Sequence, residues 1–468
     1  MATNYLTRSP GTPTSEKITT MSCWVKINNT VGGSIGLFAQ TASSSGNGVM
    51  FFINATSHLE FYATNGSSQA ARVVTNRQLK DGSGWYLLQC HVDTTQSTAS
   101  NRVKLYINGV QETSLSASSY PSQNINLNGF DGSGNQIFGS LDNLSYDCKA
   151  DVADVYFIDG ANIASNQFWE TDATTGQIKP KLDPTIASFG TNGYHLKFEN
   201  ANQGLDSKPS GASNFTTTGT IRQQVDTPSN IFCTLNPMQR SRVNTNNSTD
   251  YLKVGNNTFD TSSSNGMRGI VNGTVGAQSG KWYWEYKVIT NTRLFAGIST
   301  GLEQKFPQAY YDETEYSAVT MNDSGQIRGR YTGSAIDKFS SGTSNTTNDI
   351  IGVALDMDNK ALYIHKNGTY LSNGSNVGVP TSGSSRTGSL IEGLAGSRDD
   401  YIPDGEFMFP VVMDVSTSGV AKAEFNFGNG FFGTTAISSE GTNTSGNGKF
   451  EYDVPAGYTA LCTKGLNA

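Results

Sequence analysis

Charge is scarce in this 468-residue sequence: Asp, Glu, Lys and Arg together make up 15%. That leaves too little Glu, Lys and Arg to build the solvated faces of long helices. Basic residues are not in excess either, with 32 Lys and Arg against 39 Asp and Glu and a formal charge of −7 without obvious clustering. Such a surface does not attract a phosphate backbone, which argues against a nucleic-acid partner. No apolar run approaches a membrane span, and the opening stretch MATNYLTRSPGTPTSEKITT lacks the apolar core of a secretory signal. These absences predict a soluble protein made in a cytoplasm, with no membrane insertion. The five cysteines (Cys23, Cys90, Cys148, Cys233 and Cys462) form no CxxC pair and have no nearby histidine, so a zinc site is not expected. They are expected to be buried thiols, with a disulfide between two of the first three as the alternative.

What the sequence does have is turn residues. It carries 51 Gly against 13 Pro and is dense in Ser, Thr and Asn. Between these clusters stand short apolar-alternating runs: MSCWVKI, VMFFINA, HLEFYAT and GWYLLQCHVD in the first third, and GKWYWEYKVI, IIGVALDMD, FMFPVVMDV and AKAEFNFG in the second half. Many short strands separated by turns predict an all-β protein built as sandwiches. Only ASNQFWE, at 164–170, reads as a helical turn.

One motif occurs twice. KLYINGV stands at 104–110 and ALYIHKNGTYL at 361–371, the second longer by two residues before its turn. In each, alternate side chains are apolar (Val103, Leu105 and Ile107; Leu362 and Ile364) while Tyr106 and Tyr363 point the other way. Asn108-Gly109 and Asn367-Gly368 then supply the positive φ of a tight hairpin.

Such a length exceeds what one hydrophobic core supports. The pattern predicts a β-sandwich over 1–170, an ordered connector with one or two strands over 171–245, and a second sandwich over 246–468. The connector is interrupted by prolines but contains the strand-like GYHLKFEN, and its Phe189, Leu196, Phe198, Phe232 and Leu235 need burial. The low-complexity loop SNGSNVGVPTSGSSRTGS, at 372–389, is either a binding loop or a disordered one.

The second block resembles a SPRY domain through GKWYWEYKV, AGIS, IIGVALDMDNKALYIHKNG, FMFPVVMDV, AEFNFG and VPAGYTAL in that order. The resemblance implies a bent antiparallel sandwich whose edge loops bind partner proteins without catalysis. The first block resembles a laminin-G or concanavalin A-like sandwich through MSCWVKI, GWYLLQCHVD, NRVKLYINGV and the closing FGSLDNLSYDCKADVADVYFIDGANIASNQF. The implied fold is therefore two concanavalin A-like/SPRY-type jelly-roll sandwiches, and the twin hairpins look like one device used in both. The whole arrangement, with FGTNGYHLKFENANQGLDSKPSGASNF and DTPSNIFCTLNP between the sandwiches, is similar to bacteriophage virion proteins, though without coiled-coil heptads, a collagen-like repeat or a long N-terminal anchor.

Catalytic chemistry is weakly supported. The Glu-x-Asp-x-x-Glu strand of concanavalin-like glucanases is absent, and Asp312, Glu313 and Glu315 in YYDETEYS read as a solvated turn. His58, His91, His195 and His365 are scattered, without metal or triad spacing, and read as ordinary strand histidines. DGSGN, at 131–135, starts as a calcium loop does, with Asp131, Ser133 and Asn135 in alternation, but it is also an ordinary turn; DMDN, at 356–359, is explained by its hairpin. Calcium is the one cofactor the pattern allows; none is required. Trp282 and Trp284 are expected in the second core, and Trp24 and Trp85 in the first.

Contact candidates are the loop aromatics Tyr310, Tyr311, Tyr331 and Tyr401, which either bind a partner or lid the sandwich edge, together with Asp312 and Arg398. The expectation is a non-enzymatic virion component, a tail or surface fibre, that adheres to a host-surface glycan or protein. Other virion proteins are the expected further partners, and a homo-oligomer fits the pattern. A purely structural decoration or tail component and a glycan-degrading enzyme are the rivals.

Overall fold

In the run Ile18–Ile27 every second side chain, Met21, Cys23, Val25 and Ile27, enters one core, as a period-2 strand requires. The intervening Thr20, Ser22, Trp24 and Lys26 are buried as well, on the opposite face. A strand buried on both faces needs three layers around it. This is the organising feature of both halves of the computed structural model, which describes residues 4–28, 33–41, 48–141, 148–199, 201–242, 251–262, 269–292, 294–301, 317–331, 337–414 and 419–467. The chain forms two units, Met1–Gln223 and Gln224–Ala468. Both are antiparallel β-sandwiches of the jelly-roll kind, as the strand pattern predicts.

In the first unit an eight-stranded sheet runs in the order Leu115–Ser119, Ser68–Gln78, His58–Asn65, Gly48–Ile53, Ile35–Thr41, Asn135–Phe138, Tyr5–Arg8 and Thr216–Thr218. A six-stranded sheet faces it, ordered Tyr194–Leu196, Ala150–Asp159, Ile18–Ile27, Tyr86–Asp93, Val103–Ile107 and Val110–Gln111. Phe38, Phe51, Phe61, Leu88, Leu105 and Phe157 are among the side chains packed between them. Trp24 departs from expectation. It pairs across the strands with Leu87 on the outer face, because Cys23 and Val25 hold the inward register, and Trp85 is likewise buried outside this core.

The segment 161–198 covers that outer face. Ser165 donates its hydroxyl to Gln89 Oε1 (2.6 Å) and accepts from Gln89 Nε2 through its carbonyl (3.2 Å), while Phe168 and His195 lie against Tyr156 at 5.1 and 3.9 Å between ring centroids. ASNQFWE is a 3-10 turn at Ser165–Gln167 leading into a short strand, Trp169–Thr171.

The described residues of 171–245 are divided between the units at Gln223. Tyr194–Leu196 extends the six-stranded sheet and Thr216–Thr218 the eight-stranded one. Arg8 fastens them: its buried guanidinium reaches Asp206 Oδ2 at 3.3 Å, Gln136 Oε1 at 2.8 Å and the carbonyl of Asn192 at 2.6 Å, between the rings of Tyr194 and Phe215. Phe232 and Leu235 are buried in the second unit.

In the second unit a seven-stranded sheet runs Leu235–Arg242, Gly269–Gly273, Phe409–Asp414, Leu294–Ser299, Ala318–Asn322, Gln326–Arg330 and Asp337–Ser340. It packs on an eight-stranded sheet ordered Leu252–Lys253, Thr258–Asp260, Ala421–Asn426, Lys281–Asn291, Ile350–Asp356, Ala361–Lys366 and Thr369–Tyr370, with Thr459–Ala460 pairing parallel to Lys281–Asn291. Trp282 and Trp284 are in the core between them, as expected. The outer face of the second sheet is covered in its turn: Tyr283, Ala354 and Tyr363 pack against Phe450, Val454 and Tyr458 of the C-terminal segment. The loop 372–389 is packed too, with Pro380 buried and Tyr458 Oη donating to its carbonyl at 3.1 Å.

Both Asn-Gly hairpins form. Asn108 and Gly109 have φ of 53° and 78°, and Asn367 and Gly368 have 48° and 83°, the left-handed pair that such a turn requires.

Candidate functional site

Among the described residues, one sheet face of the first unit has no third layer of the kind that covers its partner. Gly48–Ile53 sends Val49, Phe51 and Ile53 into the core, so Met50 and Phe52 emerge half-buried on the outside of the eight-stranded sheet. The neighbouring strand sends Leu59, Phe61 and Ala63 inward and Glu60 and Tyr62 outward. Register then sets Met50 beside Tyr62, Tyr62 beside Arg72, and Phe52 beside Glu60. The polar members are tied together. Glu60 Oε1 accepts from Arg72 Nε at 2.8 Å and Oε2 from Asn54 Nδ2 at 2.8 Å.

The Glu60 carboxylate is nearly enclosed at 5% exposure, while the Arg72 side chain is 46% exposed, so the guanidinium is the charge that solvent meets. The hydrogen bond and charge of Glu60 raise the Arg72 pKa further. Two half-buried rings beside a pre-oriented guanidinium and amide make an amphipathic platform: rings stack on the apolar faces of a ligand and the polar groups hydrogen-bond its hydroxyls. Sequence reasoning missed this face. In VMFFI both registers are apolar, so the outward residues do not stand out, whereas HLEFYAT carries a legible signal in the alternation of Glu60 and Tyr62 with Leu59 and Phe61.

The contact residues expected in the second unit fare unevenly. Tyr310, Tyr311 and Asp312 lie outside the described residues, as do Glu313 and Glu315. Tyr331 and Tyr401 do come together, edge to face with centroids 5.3 Å apart. Tyr401 is nevertheless fully buried in the core, so it lids the sandwich and is not a contact residue. Gly329 and Gly396 make room for it: a Cβ on either would stand 2.5 to 2.7 Å from its ring or hydroxyl. Its hydroxyl accepts from the Gly396 amide at 3.2 Å and donates to Asp337 Oδ2 at 3.4 Å, and burial pushes the phenol up to about 12. Arg398 opens the short helix Arg398–Tyr401 and keeps 43% of its side chain exposed, 3.7 Å from Glu392. It shares Glu392 with Arg386, whose Nε is 2.9 Å from the same carboxylate oxygen. Tyr331 is half-buried against the Tyr401 ring, three residues along the helix from Arg398.

Among the histidines, the structure pairs two residues that the sequence keeps 41 positions apart. His195 Nε2 lies 2.6 Å from Asp154 Oδ1, and Asp154 sits at a β-bulge with φ of 51°. His91 and His365 are buried strand residues, and burial holds both imidazoles down at about 4.

DGSGN is a turn in which Asp131 Oδ1 accepts from the Ser133 amide (2.8 Å) and hydroxyl (2.6 Å), and in DMDN Asp356 accepts from Asn359 in the same manner. Among the described residues no group of three or more His, Cys, Asp or Glu is arranged to hold a metal ion. No disulfide joins any of the five cysteines.

With this geometry in hand, residues 2–168 match Laminin_G_3, the concanavalin A-like lectin/glucanases superfamily. No curated protein matches the chain. Solved structures similar to parts of it include the SPRY domain of human HERC1 (17% identity, 41% of this chain and 96% of that one, TM-score 0.28). Two others are a heptameric SAP-like pentraxin from Limulus polyphemus (10%, 35% and 74%, 0.24) and the TRIM65 PSpry domain (12%, 33% and 68%, 0.22).

Proposed function

We propose that this chain is a non-enzymatic adhesion protein that binds carbohydrate through the Phe52, Tyr62 and Arg72 face of its first sandwich. The observation that carries the reading is the conjunction of two half-buried outward rings with the Glu60–Arg72–Asn54 cluster on a rigid sheet, within the segment that matches a lectin and glucanase superfamily. The work is done as a bacteriophage virion component assembled in the host cytoplasm, where many copies on one particle multiply a modest affinity for host-surface glycan. Arg398 and Tyr331 at the edge of the second unit supply a second contact, to host protein or to other virion subunits.

Saturable binding of the purified chain to host cells, competing with infection, is the expected result. Replacing both rings (Phe52→Ala with Tyr62→Ala) weakens it by about tenfold or more, the equivalent of roughly 0.7 kcal/mol or more per stacked ring. Binding that survives those changes and disappears in Arg398→Ala moves the contact to the second unit. Absence of cell binding, with antibody labelling confined to joints between virion subunits, favours the structural rival, and reducing ends released from host polysaccharide would make the chain an enzyme.

A further inference from the structure

Beneath the C-terminal segment of the second unit lies a chain of hydrogen bonds whose direction can be assigned atom by atom. The backbone amide of Gly368 can only donate, and it points at His365 Nδ1 from 3.1 Å. The ring is neutral, so its proton is on Nε2, which lies 2.7 Å from Tyr283 Oη. The Tyr283 hydroxyl then donates to Glu285 Oε1 at 3.0 Å. At the far end the Glu285 carboxylate accepts the amides of Tyr452 (Oε1, 2.8 Å) and Glu451 (Oε2, 2.9 Å), with Asn426 Nδ2 at 3.4 Å. Every partner of Glu285 except Tyr283 is an obligate donor in this arrangement.

The residues are buried and the site is cleared for them. Glu285 is 0% exposed and His365 1%. Gly352 stands between the two in cross-strand register, and a Cβ there would come within 1.9 Å of His365 Nε2. The titratable and charged groups around Glu285 are Tyr283 and Lys287 on its own strand, Glu424 on Ala421–Asn426, His365 and Tyr370 on the hairpin, and Glu451 and Tyr452 on the covering segment. The Glu451 carboxylate is turned away to Ser438.

We propose that Glu285, Tyr283 and His365 form a proton wire that couples the docking of the C-terminal segment to the Asn367-Gly368 turn. A solvent proton arrives on His365 Nδ1 as the Nε2 proton passes to Tyr283 Oη and the Tyr283 proton passes to Glu285 Oε1, so each N–H or O–H bond broken is matched by one formed and the chain gains one proton. The Glu285 acid then donates to Tyr283 Oη, Tyr283 donates to His365 Nε2, and the imidazole keeps its proton on Nδ1. There it faces the Gly368 amide donor to donor, and that bond opens. Protonation at the segment is thus read out at the turn. Burial pushes Glu285 up to about 7 against the donors that stabilise its anion, which sets the wire to respond near neutrality.

The test is nuclear magnetic resonance of the full chain, following the His365 ring nitrogens and the exchange of the Gly368, Glu451 and Tyr452 amides from about pH 8 to about pH 5.5. The expected result is a change from the Nε2–H to the Nδ1–H tautomer, with Gly368 losing about tenfold of its exchange protection at the same midpoint as the segment amides. Tyr283→Phe removes only the hydroxyl, and in it the segment amides keep a transition that Gly368 and His365 no longer follow. One tautomer throughout, an imidazolium at the acid end, or coupling that survives in Tyr283→Phe would each overturn the proposal. If Tyr283→Phe does not fold, the wild-type tautomer measurement alone decides.

Discussion

Asn108 of the first hairpin donates its amide to the Leu87 carbonyl at 2.8 Å and accepts the Leu87 amide through Oδ1 at 2.9 Å; Asn367 of the second does both with Ile350, each at 2.8 Å. Each turn's glycine is closed over by a ring from a covering layer. A Cβ at Gly109 would stand 2.6 Å from Trp169, and one at Gly368 would stand 3.0 Å from Tyr452. Four strands across, starting from these matching turns, the outer-face row reads Tyr156, Ser22, Gln89 and Tyr106 in the first unit and Asn426, Glu285, Gly352 and His365 in the second. The frame is shared and the chemistry is not. Where the first unit places neutral hydrogen-bonding groups that hold Ser165, the second places a buried acid and imidazole with a glycine between them. A turn's backbone demands restrict its residues narrowly, whereas a covered face accepts any set of side chains that is satisfied internally.

Gly352 is the position where this contrast breaks most violently. Gly352→Ala forces a methyl group into the His365 ring and is expected to cost about 3 kcal/mol or more, since neither strand can move. The matched change in the first unit, Gln89→Ala, loses two hydrogen bonds to Ser165 and costs about 1–2 kcal/mol. Hydrogen exchange in the strands Ile350–Asp356 and Tyr86–Asp93 measures the two, and equal losses would dissolve the distinction.

Acid separates the units next. Burial, reinforced by Lys104, holds His91 at about 4, below its unfolded 6.5, so the unfolded chain binds more protons in that window. Stability from this group is complete above pH 6.5 and is lost as pH falls to about 4, on the order of 3 kcal/mol, and His91→Asn should flatten the slope. In the second unit His365 repeats that loss. Glu285 opposes it, because its folded value of about 7 exceeds its unfolded 4.5 and its contribution grows as pH falls between them. Denaturation followed across that range should show the first unit weakening more steeply than the second.

The finest comparison lies in the turns themselves. Asn108→Ala and Asn367→Ala each leave one strand-end amide unpaired and should cost about 1 kcal/mol. Asn367 should cost more, because its Nδ2 also donates to Asp349 at 2.8 Å. Thermal midpoints of the two variants would rank them, and a larger loss at Asn108 would contradict the assigned bonding.

The same contrast explains what could be read beforehand. Asn-Gly, the alternation of Leu105 with Ile107 and of Leu362 with Ile364, and the paired indoles of Trp282 and Trp284 are local signals, and they specify hairpins and cores directly. Trp24 misled because size suggested an inward ring, while Cys23 and Val25 quietly held that register. Tyr401 looked like an exposed loop aromatic because the two glycines that admit it, Gly329 and Gly396, are distant or silent in sequence. Neither covering layer was legible, since Ser165 meets Gln89 and Glu451 meets Glu285 only through the folded chain. The Phe52 and Tyr62 face was hidden by apolar residues in both registers.

The clasp at Arg8 bears on how the first unit comes into being. Its guanidinium waits for Asp206, Tyr194 and Phe215, all delivered about two hundred residues later in translation. A nascent chain that has emerged only as far as residue 168 lacks the carboxylate, the carbonyl and both rings, so its Arg8 guanidinium stays hydrated and the clasp contributes nothing yet. The stretch that matches the lectin/glucanases superfamily, residues 2–168, is therefore shorter than the unit that Arg8 fastens, which takes an edge strand of each sheet from beyond it.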